Sequence, residues 1–386
     1  MSCSASQWTP QRPFLLGSLL VFCFICLFIS YMADITFTDF GRVGRFCPAF
    51  LCAEKAQNND SIPSSSTELH NETQSGPTEK VQAAAVDAES DTVVLIWMWP
   101  FGARFELNCD IFNFKRCHLT DDKELYHKAH GVVFHHRDIH GNLENMPKVP
   151  RPVFQKWVWS NMESPTNSGK IAGLNELFNL TCNYRSDSSI PVPYGNLYPV
   201  TSTDESLKLP AKDKLVCWIV SNWSPNMKRV QYYNELKKHV TIHVYGGAFQ
   251  KPVGREDFVK IMSSCKFYLS FENSFHRDYI TEKFFNPLSW GTVPVVMGPP
   301  RHMYEGHAPA ESFIHVDDFP SPKELAERLL YLNQNQTEYM RFFNWRSMFK
   351  VKGGLFGREI ACKTCRYLQN HKEYQAFNDL NTWYWG

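Results

Sequence analysis

Residues 266–300 read KFYLSFENSFHRDYITEKFFNPLSWGTVPVVMGPP and carry the strongest structural signal of the chain. Two apolar runs, 266–271 and 292–297, have the length and composition of buried strands, and a helical pattern over 279–289 lies between them. A strand, a helix and a second strand in this order are typical of a parallel sheet in an α/β protein. Ligands of such sheets bind at the carboxyl ends of the strands, which here means the polar tip at 272–274.

Three residues of the predicted helix offer binding chemistry beside that tip. Tyr279, Glu282 and Lys283 stand at spacing i, i+3 and i+4 and would point to one face of the helix. A ring to pack on, a carboxylate for hydroxyl groups and an ammonium for phosphate are together typical of a sugar-nucleotide site. Each residue alone is equally consistent with a core or surface role, so it is the clustering that favours a site.

The rest of the sequence continues the alternation of strands and helices. Short apolar runs predict strands at 93–99, 131–136, 153–159, 215–221, 240–245, 266–271, 292–297 and 313–316. Amphipathic stretches predict helices at 225–238, 255–264, 279–289, 322–333 and 336–349. A Pro-, Ser- and Asp-rich stretch at about 187–213 predicts a linker between two α/β units. The sequence has neither a GxGxxG nor a P-loop motif, which disfavours a nicotinamide or ATP site.

The first ninety residues differ in composition from the remainder. Residues 13–33 are uncharged and long enough to span a bilayer, with a cleaved signal peptide as the alternative. Residues 53–91 are polar and poor in aromatics, which predicts a stem that does not fold. Four N-glycosylation sequons lie after this segment, at Asn59, Asn71, Asn179 and Asn335. This order is expected if the catalytic part lies in the lumen. The 386 residues suffice for about two domains, and the net charge of +1 disfavours a nucleic-acid partner.

Two further segments place chemistry after predicted strands. Glu163 follows the strand at 153–159, where a carboxylate is suited to general-base work or, alternatively, to capping a turn. Ser224 and Pro225 predict the start of a helix, and the unpaired amide groups of a helix amino end favour phosphate. Arg229, about one turn later, would bind a pyrophosphate or else lie solvated at the surface.

Several long motifs, all in one order, resemble the animal α1,3-fucosyltransferases, the Lewis-type enzymes. They are WMWPFG (97–102), VVFHHRDI (132–139), FQKWVWSNMESP (154–165), VPYGNLYP (192–199), CWIVSNW (217–223) and FYLSFENSFHRDYITEKFF with GTVPVVMGP (267–299). The likeness covers the chain from about Val93 to Trp385. Among these enzymes the chain is most similar to the type that forms Lewis x on lactosamine.

The resemblance implies a fold and a domain organisation. It implies an α/β protein with two Rossmann-like domains facing a cleft, the GT-B type, preceded by one transmembrane helix and a stem. The expected segments are a cytoplasmic tail (1–12), a signal-anchor (13–33), a stem (34–91), an acceptor-side domain (92–205), a GDP-fucose-binding domain (206–345) and a tail (346–386) that returns to the first domain.

The resemblance also implies roles for individual residues. Glu163 matches the family's catalytic base. The donor-binding residues would be Asn222, Arg229, Asn273, Tyr279, Glu282 and Lys283. Among these, Arg229 and Lys283 would neutralise the diphosphate, and Tyr279 would pack on the donor. Arg137 matches the version that favours Galβ1-4GlcNAc over Galβ1-3GlcNAc. We expect Asn222, although formally in a sequon, to carry no glycan, since a glycan would block the donor.

The implied reaction is an inverting transfer of fucose from GDP-fucose to the GlcNAc 3-hydroxyl of Galβ1-4GlcNAc on glycoproteins or glycolipids. Because the sequence has no DxD-type motif near the donor site, a divalent cation is expected to be at most stimulatory and no metal site is predicted. The expected location is the Golgi membrane, as a single-pass type II protein with its catalytic part in the lumen, and a homodimer is compatible. The alternatives are another acceptor, such as the N-glycan core, and a non-catalytic sugar-binding membrane protein.

The cysteines and two departures from the family complete the predictions. Cys362-x-x-Cys365 lacks a second metal-binding pair, so zinc is disfavoured. The resemblance implies disulfides instead: Cys109 and Cys117 with the Cys362/Cys365 pair, and Cys217 with Cys265. Cys47, Cys52 and Cys182 are left unassigned. Pro287 and Trp290 stand where relatives carry smaller residues, and a proline inside a helix costs ~3 kcal/mol, so we expect the helix to end or kink near Asn286.

Overall fold

The computed structural model describes residues 91–200 and 209–386, and residues 91–386 belong to one compact unit. The predicted anchor and stem, the sequons at Asn59 and Asn71, and the cysteines Cys47 and Cys52 therefore lie outside the described residues. No helix within the described ranges is long and apolar enough to cross a membrane.

The first sheet has six parallel strands in the order β2-β1-β3-β4-β5-β6. Its strands are β1 (Thr92–Ile96), β2 (Cys117–Thr120), β3 (Gly131–His135), β4 (Lys156–Asn161), β5 (Leu180–Asn183) and β6 (Ile190–Pro191). Every residue of β3, β4 and β5 is buried, as expected for central strands of a covered parallel sheet. The register pairs His135 with Ser160 and Asn161 with Asn183, so polar side chains collect at the carboxyl edge.

A second parallel sheet has the order β12-β11-β10-β8-β9. Between the sheets in sequence lies β7 (Gly195–Pro199), and the second sheet is formed by β8 (Lys214–Ile219), β9 (Ile242–Tyr245), β10 (Cys265–Phe271), β11 (Val293–Met297) and β12 (Ile314–His315). The helices that follow these strands are α1 (Lys228–Leu236), α2 (Arg255–Ser264), α3 (Glu282–Ser289), α4 (Arg301–Glu305), α5 (Pro322–Gln334) and α6 (Gln336–Arg341). The prediction of an α/β fold with parallel sheets is confirmed.

The end of the chain contacts the first sheet. β13 (Phe349–Gly353) pairs antiparallel with β7, with Val351 opposite Leu197. The helix α7 (Phe356–Asn370) packs against β1, β2 and β3, and α8 (Leu380–Trp385) closes the chain. Disulfides join Cys109 to Cys362, Cys117 to Cys365 and Cys217 to Cys265, which confirms the predicted bonds. Cys182 is a free, buried thiol, and burial raises its pKa.

Several predicted boundaries were wrong. The strand expected at 153–159 spans Lys156–Asn161, and Val153 is 97% exposed. The helix expected at 225–238 begins at Lys228, because Ser224 and Pro225 belong to the preceding turn. The helix expected to reach 349 ends at Arg341. The expected linker at about 187–213 contains the strands β6 and β7, and the sequence pattern missed α7 entirely.

The helix α3 does not end near Asn286. It continues through Pro287 to Ser289, and the carbonyl of Pro287 accepts a hydrogen bond from the Thr292 amide. Because Pro287 lies in the last turn, only the bond that its own nitrogen would have donated is lost. Trp290 packs edge to face on Phe258, beside the cluster that contains the Cys217–Cys265 disulfide. Both residues thus lie away from the amino end of α3.

Candidate active site

Glu163 lies in a loop just beyond β4, residues 162–168, which we call the Glu163 loop. Tyrosine hydroxyls hold its backbone: Tyr194 donates to the carbonyl of Met162 and Tyr384 donates to that of Glu163. The Glu163 amide donates to Asn161 Oδ1 at 3.1 Å. The backbone that carries Glu163 is therefore fixed by groups from β4, from the segment before β7 and from the carboxyl-terminal helix.

The carboxylate of Glu163 is half-buried and accepts two hydrogen bonds on one oxygen. Oε1 accepts from the hydroxyl of Tyr279 at 2.6 Å and from the amide of Ser164 at 3.1 Å. Among the described residues no hydrogen bond reaches Oε2. One oxygen is thus held by the protein, and the other remains free to accept a proton.

The amino end of α3 carries a compact charged cluster. Thr281 is the N-cap, and its amide and hydroxyl donate to Glu272 Oε1 at 2.8 and 2.9 Å. The ammonium of Lys283 donates to Thr281 Oγ1 at 2.9 Å and to Glu282 Oε1 at 3.0 Å, and it lies 3.3 Å from Glu272 Oε2. Lys283 is therefore held between two carboxylates at the carboxyl end of β10.

Burial and charge act in opposite directions on this cluster. Burial alone would lower the pKa of Lys283, but Glu272 and Glu282 raise it above its ordinary value. Burial raises the pKa of Glu272, and the ammonium of Lys283 opposes that shift. Lys283 consequently stays positively charged at neutral pH, with a quarter of its side chain accessible.

Arg229 is the second buried cation near this edge. It is 3% exposed, and its guanidinium donates to the carbonyls of Phe271, at 3.3 Å, and of Asn222. Its Nε is buried and has no partner among the described residues. Burial lowers the pKa of Arg229, while nearby Glu272 raises it. No side chain caps α1 at Met227, and within its first turn the Val230 amide donates to the Met227 carbonyl at 2.9 Å.

The predicted role of Tyr279 as a surface for the donor is wrong. Tyr279 precedes α3 and does not share a helix face with Glu282 and Lys283. Its ring is 2% exposed and packs edge to face against Tyr184 and Tyr194, with centroid distances of 5.1 and 6.2 Å. A ring enclosed by two others has no free face for a nucleotide or sugar.

Residues 272–281, which connect β10 to α3, form a bridging loop that contacts the first sheet's carboxyl edge. Ser274 Oγ lies 2.6 Å from Ser164 Oγ, and Asp278 Oδ2 accepts from the amide and hydroxyl of Ser186 at 2.8 and 2.7 Å. Asn273, half-buried in this loop, accepts a bond from Ser274 at 2.9 Å. Asn222 is exposed, and its carbonyl is the group engaged by Arg229. The structure thus gathers the candidate residues of both sheets at one junction.

His136 contacts the residue that directly follows the Glu163 loop. Nε2 of His136 contacts the carbonyl of Gly169 at 2.8 Å, and Nδ1 accepts from the Trp159 indole at 3.3 Å. Burial lowers the pKa of His136 to about 4, so the ring is neutral and Nε2 is the donor. Arg137 is exposed and donates to the carbonyl of Asn167 at 2.8 Å, which puts it beside the same loop. In the described ranges no three His, Cys, Asp or Glu residues are grouped so as to hold a metal ion.

Sequence reasoning missed several residues of this junction: Thr281, Glu272, Tyr194, Tyr384 and the polar residues of β4. Glu272 stands directly in the polar tip of the quoted motif, so its position was a usable signal. Tyr384 offered no signal, because it lies 221 positions from the carbonyl it contacts.

A cavity of about 240 Å³ lies elsewhere, lined by Phe114, Lys363 and Tyr367 among others, and none of its lining residues belongs to the junction.

The two remaining sequons differ in their surroundings. Asn335 caps α6 at the surface, and its side chain accepts from the Glu338 amide at 3.1 Å. Asn179 is buried, and its Nδ2 donates to the carbonyl of Gln375 at 2.7 Å. A glycan on Asn179 does not fit this conformation, since it would displace the segment around Gln375. The glycan at Asn335 stays a prediction.

Two parallel sheets that join their carboxyl-edge loops around a carboxylate and buried cations are typical of an α/β enzyme with its active site at that edge. Two protein-family models match the chain and identify its family. The model described as "Fucosyltransferase, N-terminal" matches residues 89–195, and the model described as "Glycosyltransferase family 10 (fucosyltransferase) C-term" matches residues 209–383. The chain belongs to this fucosyltransferase family, which confirms the predicted family and the prediction of an enzyme.

Named relatives are 41–50% identical to this chain over the aligned residues. The chain is 50% identical over 301 residues to 4-galactosyl-N-acetylglucosaminide 3-alpha-L-fucosyltransferase 9 of Rattus norvegicus, which covers 78% of this chain and 84% of the relative. It is 41% identical over 308 residues to 4-galactosyl-N-acetylglucosaminide 3-alpha-L-fucosyltransferase FUT5 of Homo sapiens, covering 78% and 82%. A crystal structure of an alpha1,3-fucosyltransferase with GDP-fucose aligns over 76% of this chain and 95% of that chain, with 17% identity and a TM-score of 0.48.

Proposed function

We propose that the protein transfers fucose from GDP-fucose to the 3-hydroxyl of GlcNAc in Galβ1-4GlcNAc, which is Lewis x synthesis on glycoproteins or glycolipids. Membership of the fucosyltransferase family supports the transferred sugar, and the names of the relatives support the acceptor and the linkage. The observation that carries the proposal is Glu163: a carboxylate with one anchored oxygen and one unbonded oxygen, adjacent to the loop that leads to α3.

The proposed reaction is one inverting displacement. Glu163 Oε2 takes the proton of the GlcNAc 3-hydroxyl as that oxygen attacks C1 of fucose. The bond from C1 to the β-phosphate oxygen breaks on the opposite face, and its electron pair leaves with GDP. A positioned general base contributes about 10²–10⁴ to the rate of such a step.

The leaving diphosphate needs positive charge, and two protein cations are proposed to supply it. Lys283 is charged and partly accessible at the amino end of α3, and Arg229 lies at the amino end of α1. Helix amino ends favour anions, and α1 has no side-chain cap, so the position of Arg229 suits a phosphate. Glu282, Asn273 and Asn222 are proposed to bind donor hydroxyls or the nucleotide. We propose no obligatory divalent cation, although one could stimulate turnover.

Acceptor choice is assigned to Arg137. Its guanidinium lies 5.6 Å from the Phe101 ring centroid and contacts the Glu163 loop through Asn167, so it borders the region where an acceptor hydroxyl must reach the base. We propose that it favours the Galβ1-4 isomer. The two parallel sheets support the proposed GT-B division into an acceptor-side domain (92–205) and a donor-side domain (206–345), with 346–386 as the tail.

The uncharged segment 13–33 and the polar stem support a further proposal, that of a single-pass type II protein of the Golgi membrane with a lumenal catalytic part. A homodimer is compatible with that topology. Retention of the catalytic part in membranes after alkaline washing, and its release by cleavage in the stem, would test the anchor.

A panel of acceptors tests the proposed reaction. Purified enzyme with GDP-fucose is offered Galβ1-4GlcNAc, Galβ1-3GlcNAc and an N-glycan core, and the linkage of the product is determined. We expect α1,3-fucosylated Galβ1-4GlcNAc as the main product. Transfer to the N-glycan core alone would establish the alternative acceptor, and GDP-fucose binding without any transfer would establish a non-catalytic sugar-binding protein.

A further inference from the structure

The hydroxyl of Tyr279 makes the hydrogen bond that crosses from the bridging loop to the proposed base. The oxygen atoms of Tyr279 and Glu163 are 2.6 Å apart although the residues lie 116 positions apart. Burial raises the pKa of Tyr279 well above its ordinary value, and the neighbouring Tyr194 and Glu163 add to that shift. The hydroxyl therefore keeps its proton and donates to the carboxylate.

The geometry of the bridging loop explains why the ring points inward. Asp278, directly before Tyr279, has φ +59°, a left-handed conformation that Asp tolerates better than most residues. Its carboxylate is fixed by the amide and hydroxyl of Ser186, and His276 Nε2 contacts Thr166 Oγ1 at 2.6 Å. The loop is thus attached to the first sheet's edge at His276 and Asp278, within the turn that directs Tyr279 toward Glu163.

We infer that Tyr279 is a positioning residue that orients the Glu163 carboxylate, so that Oε1 is occupied and Oε2 faces the acceptor hydroxyl. This inference rests on the proposed function of Glu163. A hydrogen bond to an ionised carboxylate is stronger than a neutral one and selects one rotamer of the side chain. Because a misplacement of about 1 Å can lower a rate about 10²-fold, the orientation of the base matters as much as its presence.

The same loop also ends at Thr281, the N-cap that contacts both Glu272 and Lys283. The bridging loop therefore orients the Glu163 carboxylate through Tyr279 and positions the ammonium of Lys283 through Thr281. Residues of the GDP-fucose-binding half thereby set the geometry of the base that belongs to the acceptor-binding half.

The test removes the hydroxyl alone. Tyr279→Phe should lower kcat about tenfold to a hundredfold, while the dissociation constant for GDP and the acceptor KM change by less than about twofold. Tyr339→Phe is the matched control: it also removes one buried tyrosine hydroxyl, which donates to the Lys266 carbonyl at 3.2 Å and contacts neither Glu163 nor the residues that hold it. We expect Tyr339→Phe to keep the wild-type kcat.

A double-variant cycle separates positioning from a general structural role. If Tyr279 acts through Glu163, Tyr279→Phe should have almost no further effect in a Glu163→Gln background. Multiplicative losses in the double variant, or a Tyr279→Phe loss confined to GDP binding, would overturn the inference and leave the proposed function intact. Full activity of Glu163→Gln would instead show that Glu163 is not the base, and the inference about Tyr279 would be lost with that assignment.

Discussion

Glu272 and Lys283 form an ion pair between the end of β10 and the first turn of α3, with 3.3 Å between Oε2 and Nζ. Glu272 is 1% exposed, so contacts with Thr281 and Lys283 replace the hydration of its carboxylate. Removing Glu272 would leave Lys283 with Glu282 as its carboxylate partner, and the loss of one partner from a buried pair costs more than the pair itself contributes.

Glu272→Gln should therefore lower the free energy of unfolding by about 3 kcal/mol. Chemical denaturation of the variant and the wild type measures the difference. Glu305→Gln is the control, because Glu305 pairs with Arg301 at the surface, and its loss should cost less than about 1 kcal/mol. Equal effects of the two substitutions would show that burial of the Glu272 pair has no energetic consequence.

Glu163→Gln should reduce turnover by about 10²–10⁴, because an amide cannot accept the acceptor's proton. GDP affinity, measured by calorimetry, should stay within about twofold, since the diphosphate is assigned to Lys283 and Arg229. Glu144→Gln, at an exposed carboxylate of the same half, should keep the wild-type rate. A wild-type rate for Glu163→Gln would remove Glu163 from the reaction.

Simultaneous substitution of Cys117 and Cys365 by Ser should destabilise the protein by about 3 kcal/mol. The Cys109–Cys362 bond already joins the same two segments, so in the unfolded chain the Cys117–Cys365 bond closes only a further short loop made of 109–117 and 362–365. Thermal unfolding measures the shift. Cys182→Ala, at the free buried cysteine, is the comparison and should produce a smaller decrease. An unchanged melting temperature of the double variant would contradict the expectation.

His136 should make stability depend on pH. Its folded-state pKa is lowered from 6.5 to about 4, so the unfolded chain binds more protons between these values. Its contribution is complete above pH 6.5 and is lost as the pH falls toward 4, by about 3 kcal/mol. Unfolding of wild type and His136→Gln is compared from pH 4 to 7. The wild type should lose more stability on acidification, and parallel curves would contradict this role.

The structural elements that local patterns predict well are those with a strong periodic signal. The helix Arg255–Ser264 matches its prediction, and β10 and β11 differ from theirs by one residue at the amino end. The helix α7 was not among the predicted elements. β4 was displaced because Val153 and Phe154 are apolar although both are exposed.

The sequence by itself determined the α/β class, the family and some of the residues that collect at the junction, because these depend on local periodicity and on contiguous motifs. Only the tertiary structure decided what several of them do. Tyr279 contacts Glu163 and not a ligand face, and Tyr384 holds the Glu163 backbone from the far end of the chain. Such contacts join residues more than a hundred positions apart, and they exist only once two separate sheets have packed their carboxyl-edge loops together.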